Sequence, residues 1–100
     1  MDIKYKIVFT PRAKKHIGEI YRYISECLHN EIAAEKLMIK LDKCIENIKN
    51  HPRMCPVVIG DGYRKCIVGN YVAFYRIDEN SKIIRVFGIY HGSQDYENLF

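Results

Sequence analysis

No long apolar run occurs anywhere in the 100 residues, so a bilayer-spanning helix, which needs about 20 consecutive apolar positions, is not expected. The opening Met1-Asp2-Ile3-Lys4-Tyr5-Lys6 alternates charged and apolar residues and offers no core for a signal peptide. The expectation is a cytoplasmic protein with no membrane partner. The cysteines, Cys27, Cys44, Cys55 and Cys66, are few, widely spaced and without a C-x-x-C pair. That spacing is a poor zinc signature even with His51 added, and a poor disulfide framework for a cytosolic chain. Cys27, Cys44 and Cys66 fall at apolar phases of their segments and read as buried free thiols, while Cys55, in a Pro-bounded loop, receives no role. There is no Gly-x-Gly-x-x-Gly, no Gly-x-x-x-x-Gly-Lys and no internal repeat, so neither a nucleotide cofactor nor a metal is expected. Nor is the chain starved of apolar residues: 48% hydrophobic and 28% charged exclude a disordered polymer. Residues 1–100 read as one domain.

What is present is a run of short, well-marked elements. Ile3, Tyr5, Ile7 and Phe9 alternate with Lys4, Lys6 and Val8 as in a half-buried strand. Thr10 is a good helix N-cap and Pro11 suits the first helical position. Ala13, Ile17, Ile20, Ile24 and Leu28 then share one helical face. His29 and Asn30 break that pattern, and Asn30 caps a second helix with the stripe Ala34, Leu37, Met38, Leu41, Ile45 and Ile48, stopped by Asn50-His51-Pro52. Two apolar stripes on a helical hairpin need a surface to cover.

That surface is the meander from Gly62 to Asp95. Tyr63 to Val68 and Tyr71 to Asp78 flank Gly69-Asn70, a two-residue loop of the primed-hairpin kind, so the register can be counted outward. Val68 faces Tyr71, Cys66 faces Ala73 and Arg64 faces Tyr75, while Lys65 faces Phe74. With a turn at Glu79-Asn80-Ser81-Lys82, Arg85 falls beside Arg76 and Phe87 beside Phe74. One face then carries Cys66, Val68, Tyr71, Ala73, Tyr75, Ile77, Ile84, Val86 and Tyr90, with Arg64 at its margin; the other carries Lys65, Phe74, Arg76, Arg85, Phe87 and His91. The fold class expected is α+β, in the order β-α-α-β-β-β, with the helical hairpin on one face of a small, mainly antiparallel twisted sheet and acting as the crossover from the first strand. The net charge of +4 fits an anionic partner without requiring one.

These segments together resemble the RelE/ParE superfamily of bacterial type II toxin-antitoxin toxins. The residues that carry the resemblance are Thr10-Pro11-Arg12-Ala13, the helix from Ile17 to Ile24, Ile48-Lys49-Asn50-His51-Pro52, Gly62-Tyr63-Arg64, the run Val68 to Ile77, and Ile84-Arg85-Val86 leading to His91-Gly92-Ser93-Gln94-Asp95. Their order and spacing are similar to the ParE-like branch, although Gln94 stands where many relatives carry another residue. The resemblance implies a growth-arresting toxin neutralised by a cognate antitoxin, as a homodimer or a heterotetramer with that antitoxin. ParE-like members inhibit DNA gyrase; RelE-like members cut mRNA on the ribosome without a metal.

The two activities ask different things of the residues. For the nuclease, Arg64 would clamp phosphate, His91 would act as acid or base, Tyr90 or Tyr96 would stack on a base, and Lys65, Arg76 and Arg85 would add positive charge. For the gyrase-type toxin, Lys65, Phe74, Arg76, Arg85 and Phe87 would form the target or antitoxin surface. A relic that only binds antitoxin remains a third reading. The register sets Arg64 on the helix-covered face, so the expected site is an edge cleft shared by Arg64, Tyr90 and His91, opened either by a sheet edge that the helices leave uncovered or by a bulge at Gly62 or Gly88.

Overall fold

The first strand, β1 (Lys6–Phe9), turns Ile7 and Phe9 toward the core and Lys6 and Val8 away from it. Thr10 then ends the strand and begins the first helix: its Oγ1 accepts from Ala13 N at 3.2 Å, and Pro11 occupies the first position of α1 (Pro11–Arg22). The computed structural model of the chain describes residues 5–60 and 62–92. After Arg22 the helix widens into a π turn over Tyr23–Cys27, with Leu28 N donating to Tyr23 O at 3.0 Å. The wider turn changes the 3.6-residue phase. Ile24 stays buried, but Cys27 and Leu28, both expected on the apolar stripe, are exposed.

Asn30 caps α2 (Glu31–Asn50) as expected, its side chain accepting from Ala33 N at 3.0 Å. Ala34, Leu41, Cys44 and Ile48 are buried beneath this helix, and Leu37 and Ile45 pack against the same core. Beyond His51 comes a strand that was not expected, β2 (Val57–Ile59), only three residues long. Then follow β3 (Tyr63–Val68), β4 (Tyr71–Asp78) and β5 (Ile83–His91). The sheet order is β1-β5-β4-β3-β2, with β1 parallel to β5 and the other pairs antiparallel. The α+β class and the helical hairpin on a mainly antiparallel sheet are therefore as the sequence indicated, with one added edge strand. No helix of the described residues is long and apolar enough to cross a membrane.

The counted register holds along β3 and β4, from Val68 opposite Tyr71 to Arg64 opposite Tyr75, and again where Arg76 meets Arg85. It fails at one residue. Tyr75 pairs with Val86 but Phe74 pairs with Gly88, so Phe87 is the extra residue of a β-bulge and does not lie beside Phe74. Past the bulge the faces exchange. Ile89 joins the helix-covered core, whereas Tyr90, expected there, packs on the outer side with Val72 and Phe74.

The bulge sits where β5 loses its parallel neighbour. β1 ends at Phe9, and backbone groups of β5 beyond Val86 would lack a strand to bond. The start of α1 supplies partners instead: Thr10 N donates to Val86 O at 3.0 Å, Thr10 Oγ1 to Phe87 O at 3.2 Å, and Ile89 N donates to His16 Nδ1 at 3.3 Å. Gly88 makes room for this arrangement. A Cβ there would lie 2.9 Å from the Tyr90 ring and 3.1 Å from His16 Nδ1.

Cys44 of α2 and Cys66 of β3 are joined by a disulfide, with Cα atoms 7.2 Å apart. This corrects the expectation of free thiols at both positions; linear spacing carries no information on which helix position lies over which strand position. Cys55 is a buried free thiol and Cys27 an exposed one.

Candidate functional site

Charge is distributed unevenly between the two layers. Among the described residues the strands and loops carry seven Lys and Arg against two carboxylates, Asp78 and Glu79, whereas the helical layer carries eight against six. The excess follows from the period-two pattern that turns Lys6, Lys65, Arg76 and Arg85 away from the helices.

On that outer face Arg76 and Arg85 are direct cross-strand neighbours. Like charges at this spacing repel unless something intervenes. Asp78 does so for Arg85, its carboxylate accepting from the guanidinium at 3.5 Å. Arg76 lies over the Tyr63 ring, 5.6 Å from its centroid, and Phe87 meets the same ring edge-on at 5.1 Å. Arg76, Asp78, Glu79, Arg85 and Phe87 line a groove of about 430 Å³. Hydrogen bonds from Ser81, assisted by Asn80 and Arg85, hold the Asp78 carboxyl below its ordinary pKa. The Glu79 carboxyl is held below its ordinary pKa by Lys82 and Tyr5 and also pairs with Arg53, so the β4–β5 turn is fastened to the residue ahead of β1 and to the segment after α2.

Phe74 is not available to this surface. It is fully buried, in an outer cluster with Val72 and Tyr90 that Val58 flanks. Sequence alternation put Phe74 on the outer face correctly, but it could not reveal that this face has a small core of its own.

The three residues expected to share an edge cleft are not assembled. Arg64 pairs with Tyr75 and His91 pairs with Tyr71, four positions away along β4, a separation of roughly 13 Å at strand spacing. The Arg64 guanidinium donates to the carbonyl oxygens of Cys55 and Arg53, so it tethers the segment before β2 to the sheet. Beside it the Tyr75 hydroxyl donates to Pro52 O at 2.8 Å, and burial pushes its pKa far above the usual phenol range. Tyr90 and His91 do lie together, but with a residue that sequence reasoning missed, His16. Its ring meets that of Tyr90 edge-on at 4.8 Å, and its pKa is lowered by burial, with Arg12 and Lys15 acting in the same direction against Glu19. Because Nδ1 accepts a backbone N–H, the neutral ring carries its proton on Nε2. His91 is exposed and meets Tyr71 edge-on at 5.4 Å. His16, Glu19, Ile20, Tyr71, Ile89, Tyr90 and His91 line a cleft of about 490 Å³. No linear signal marks His16, which is a polar position on a helix whose partner lies 73 residues away. Lys65 and His91 line an adjoining groove across the Gly69-Asn70 turn. No group of three His, Cys, Asp or Glu among the described residues is placed to hold a metal. Tyr96, Gln94 and Asp95 lie outside the described residues.

Residues 7–96 match the family model of the ParE toxin of the type II toxin-antitoxin system parDE. The chain is also 36% identical over 77 residues to Toxin ParE1 of Caulobacter vibrioides, across 75% of this chain and 79% of that protein. The chain belongs to the ParE toxin family. As a ParE-type toxin it shares its fold with solved toxin-antitoxin structures. The chromosomal ParDE system from P. aeruginosa superposes with a TM-score of 0.74 at 15% identity, over 88% of this chain and 96% of that one. The free-state structure of a mutant of the E. coli toxin RelE gives 0.67 at 14% identity, over 97% and 93%. At such identities the likeness to both ParE- and RelE-containing structures shows the fold alone. Within this ParE-family fold, charge, aromatic surface and concavity coincide on the sheet's outer face and along the His16–Tyr90–His91 edge.

Proposed function

We propose that this ParE-type toxin arrests growth by binding a protein target, with DNA gyrase the first candidate, and that a cognate antitoxin neutralises it by laying an acidic, partly apolar segment across the outer face of the sheet. The observation that carries the reading is the groove beside Arg76, Arg85 and Phe87, where two guanidinium groups and an aromatic ring converge on the cationic side of the molecule. Such a surface suits carboxylates flanking an apolar anchor. The parDE family description and the ParDE and RelBE complexes among its structural relatives support an antitoxin partner.

Arg64 argues in the same direction. Its guanidinium is engaged by two carbonyl oxygens, away from His91, so the phosphate clamp and the acid-base group that RNA cleavage requires do not face one scissile bond. The nuclease reading rests on a different pair, Lys65 and exposed His91 on one groove.

One comparison separates the readings. Purified protein is assayed for inhibition of gyrase supercoiling and for cleavage of mRNA on translating ribosomes, with His91→Ala alongside. Supercoiling inhibition without cleavage is the expected result; codon-positioned cleavage abolished by His91→Ala would replace the proposal with the nuclease. Neither activity would leave an antitoxin-binding relic. For the surface itself, the Arg76→Glu/Arg85→Glu double variant should weaken antitoxin binding at least about tenfold, or about 1.4 kcal/mol, with the fold unchanged by circular dichroism. Undiminished affinity would remove the outer face from the interface.

A further inference from the structure

Cys55 has no part in the surfaces described above, yet it is a buried free thiol in the same core cluster as both members of the Cys44–Cys66 disulfide. Its position relative to Cys66 follows from the β2–β3 ladder. Lys65 N donates to Pro56 O at 3.2 Å, and Val57 pairs with Arg64. The 56/65 pair is thus a hydrogen-bonded position, which makes 55/66 the next, non-hydrogen-bonded one. Partners at such positions lie about 4.5 Å apart between Cα atoms and send their side chains to the same face. Disulfides typically span about 4.4–6.8 Å between Cα atoms. At that spacing, with the ladder continued past the end of β2, Cys55 falls within disulfide reach of Cys66, whose partner Cys44 has its Cα 7.2 Å away.

We propose that Cys44, Cys55 and Cys66 form an intramolecular thiol-disulfide exchange site in which Cys66 is shared between α2 and the segment ahead of β2. In the exchange the Cys55 thiol gives its proton to solvent and the resulting thiolate attacks Sγ of Cys66. The Cys55–Cys66 bond forms as the Cys66–Cys44 bond breaks, and Cys44 leaves as a thiolate that takes up a proton. One disulfide and one thiol are present before and after, so no external oxidant or reductant enters. The Arg64 guanidinium, bonded to the carbonyl oxygen of Cys55, holds the attacking residue beside β3. Each state fastens a different element to β3: α2 when Cys44 is the partner, the 51–56 segment when Cys55 is. Exchange thus releases the second helix from the sheet while tightening the segment that Arg64 and Tyr75 already hold.

Trypsin separates all three residues, because Lys43, Lys49, Arg53, Arg64, Lys65 and Arg76 bracket peptides Cys44–Lys49, Met54–Arg64 and Cys66–Arg76. The full-length protein is equilibrated in a glutathione redox buffer, quenched with acid, alkylated under denaturing conditions without reductant, and mapped by mass spectrometry. The wild-type chain should yield both the Cys44–Cys66 and the Cys55–Cys66 linked pairs. The Cys44→Ser chain should retain Cys55–Cys66, with Cys27 alone alkylated. Only the Cys44–Cys66 pair in the wild type, or full alkylation of Cys55 and Cys66 in Cys44→Ser, would overturn the proposal. Should Cys44→Ser fail to fold by circular dichroism, Cys44→Ala serves the same readout with no buried hydroxyl.

Discussion

Arg64 shows how much a single side chain's partners decide. Family resemblance and strand phase both singled it out, yet its guanidinium is bonded to the carbonyls of Arg53 and Cys55. Charge-assisted hydrogen bonds of this kind contribute about 1.5–3 kcal/mol, so Arg64→Ala should lower unfolding stability by about that amount in urea titrations. Arg64→Lys should recover little, since one ammonium cannot reproduce the forked donor set. A variant of undiminished stability would show that these bonds are not what Arg64 provides. His16 couples stability to pH. Burial lowers its folded pKa below the 6.5 of the free side chain, so the unfolded chain binds the proton more readily. The stabilising contribution is complete above about pH 6.5 and is lost as pH falls through the depressed folded value. Stability should therefore decline on acidification in that window, and His16→Gln should flatten the decline; an identical pH profile for the variant would exclude His16 as its source. Neither role could be read from the sequence, because both depend on backbone groups far along the chain.

At the scale of elements, most of the architecture was legible. Thr10-Pro11 and Asn30 cap helices because a short side-chain oxygen can meet an otherwise unbonded N–H, and that chemistry is local. Gly69-Asn70 set the β3–β4 register for the same reason: Gly69 adopts φ +60°, which a primed turn requires. The sequence offered Gly88 as one of two places for a bulge, and the register shift falls beside it; what was not legible is its cause, the departure of β1 into α1 nearly 80 residues earlier. Gly88→Ala tests the account. The new methyl would press on the Tyr90 ring and on His16 Nδ1, and overpacking of this order costs about 1–3 kcal/mol. Thermal melts should show the loss, and the His16 imidazole resonances should shift by NMR as its contact with Ile89 N changes; unchanged stability and unchanged resonances would mean that the bulge tolerates a side chain. The π turn at Tyr23–Cys27 belongs to the same class of surprise, and it is why Cys27 and Leu28 face solvent despite their helical phase.

For the whole molecule, the described residues give the sheet layer a larger cationic excess than the helical layer, so charge-driven association is expected on the sheet side. Exposed charges are screened over about 10 Å at 0.1 M salt and about 3 Å at 1 M, so antitoxin binding should weaken and associate more slowly as salt is raised. The Arg76→Glu/Arg85→Glu variant should show a shallower salt dependence in surface plasmon resonance; equal slopes would place the recognition charges elsewhere. By itself the sequence determined the α+β class, the helical hairpin, the three long strands and which strand positions as far as Val86 face the helices, because caps, turns and alternation act between neighbours along the chain. Only the tertiary structure decided that Phe74 is covered, that Tyr90 lies on the outer side, that Cys44 bonds Cys66, and that Arg64 and His91 stand apart. Those outcomes depend on which backbone groups remain unbonded once β1, α1 and β5 meet, and on which helix position lies over which strand, relations between distant residues that no local pattern encodes.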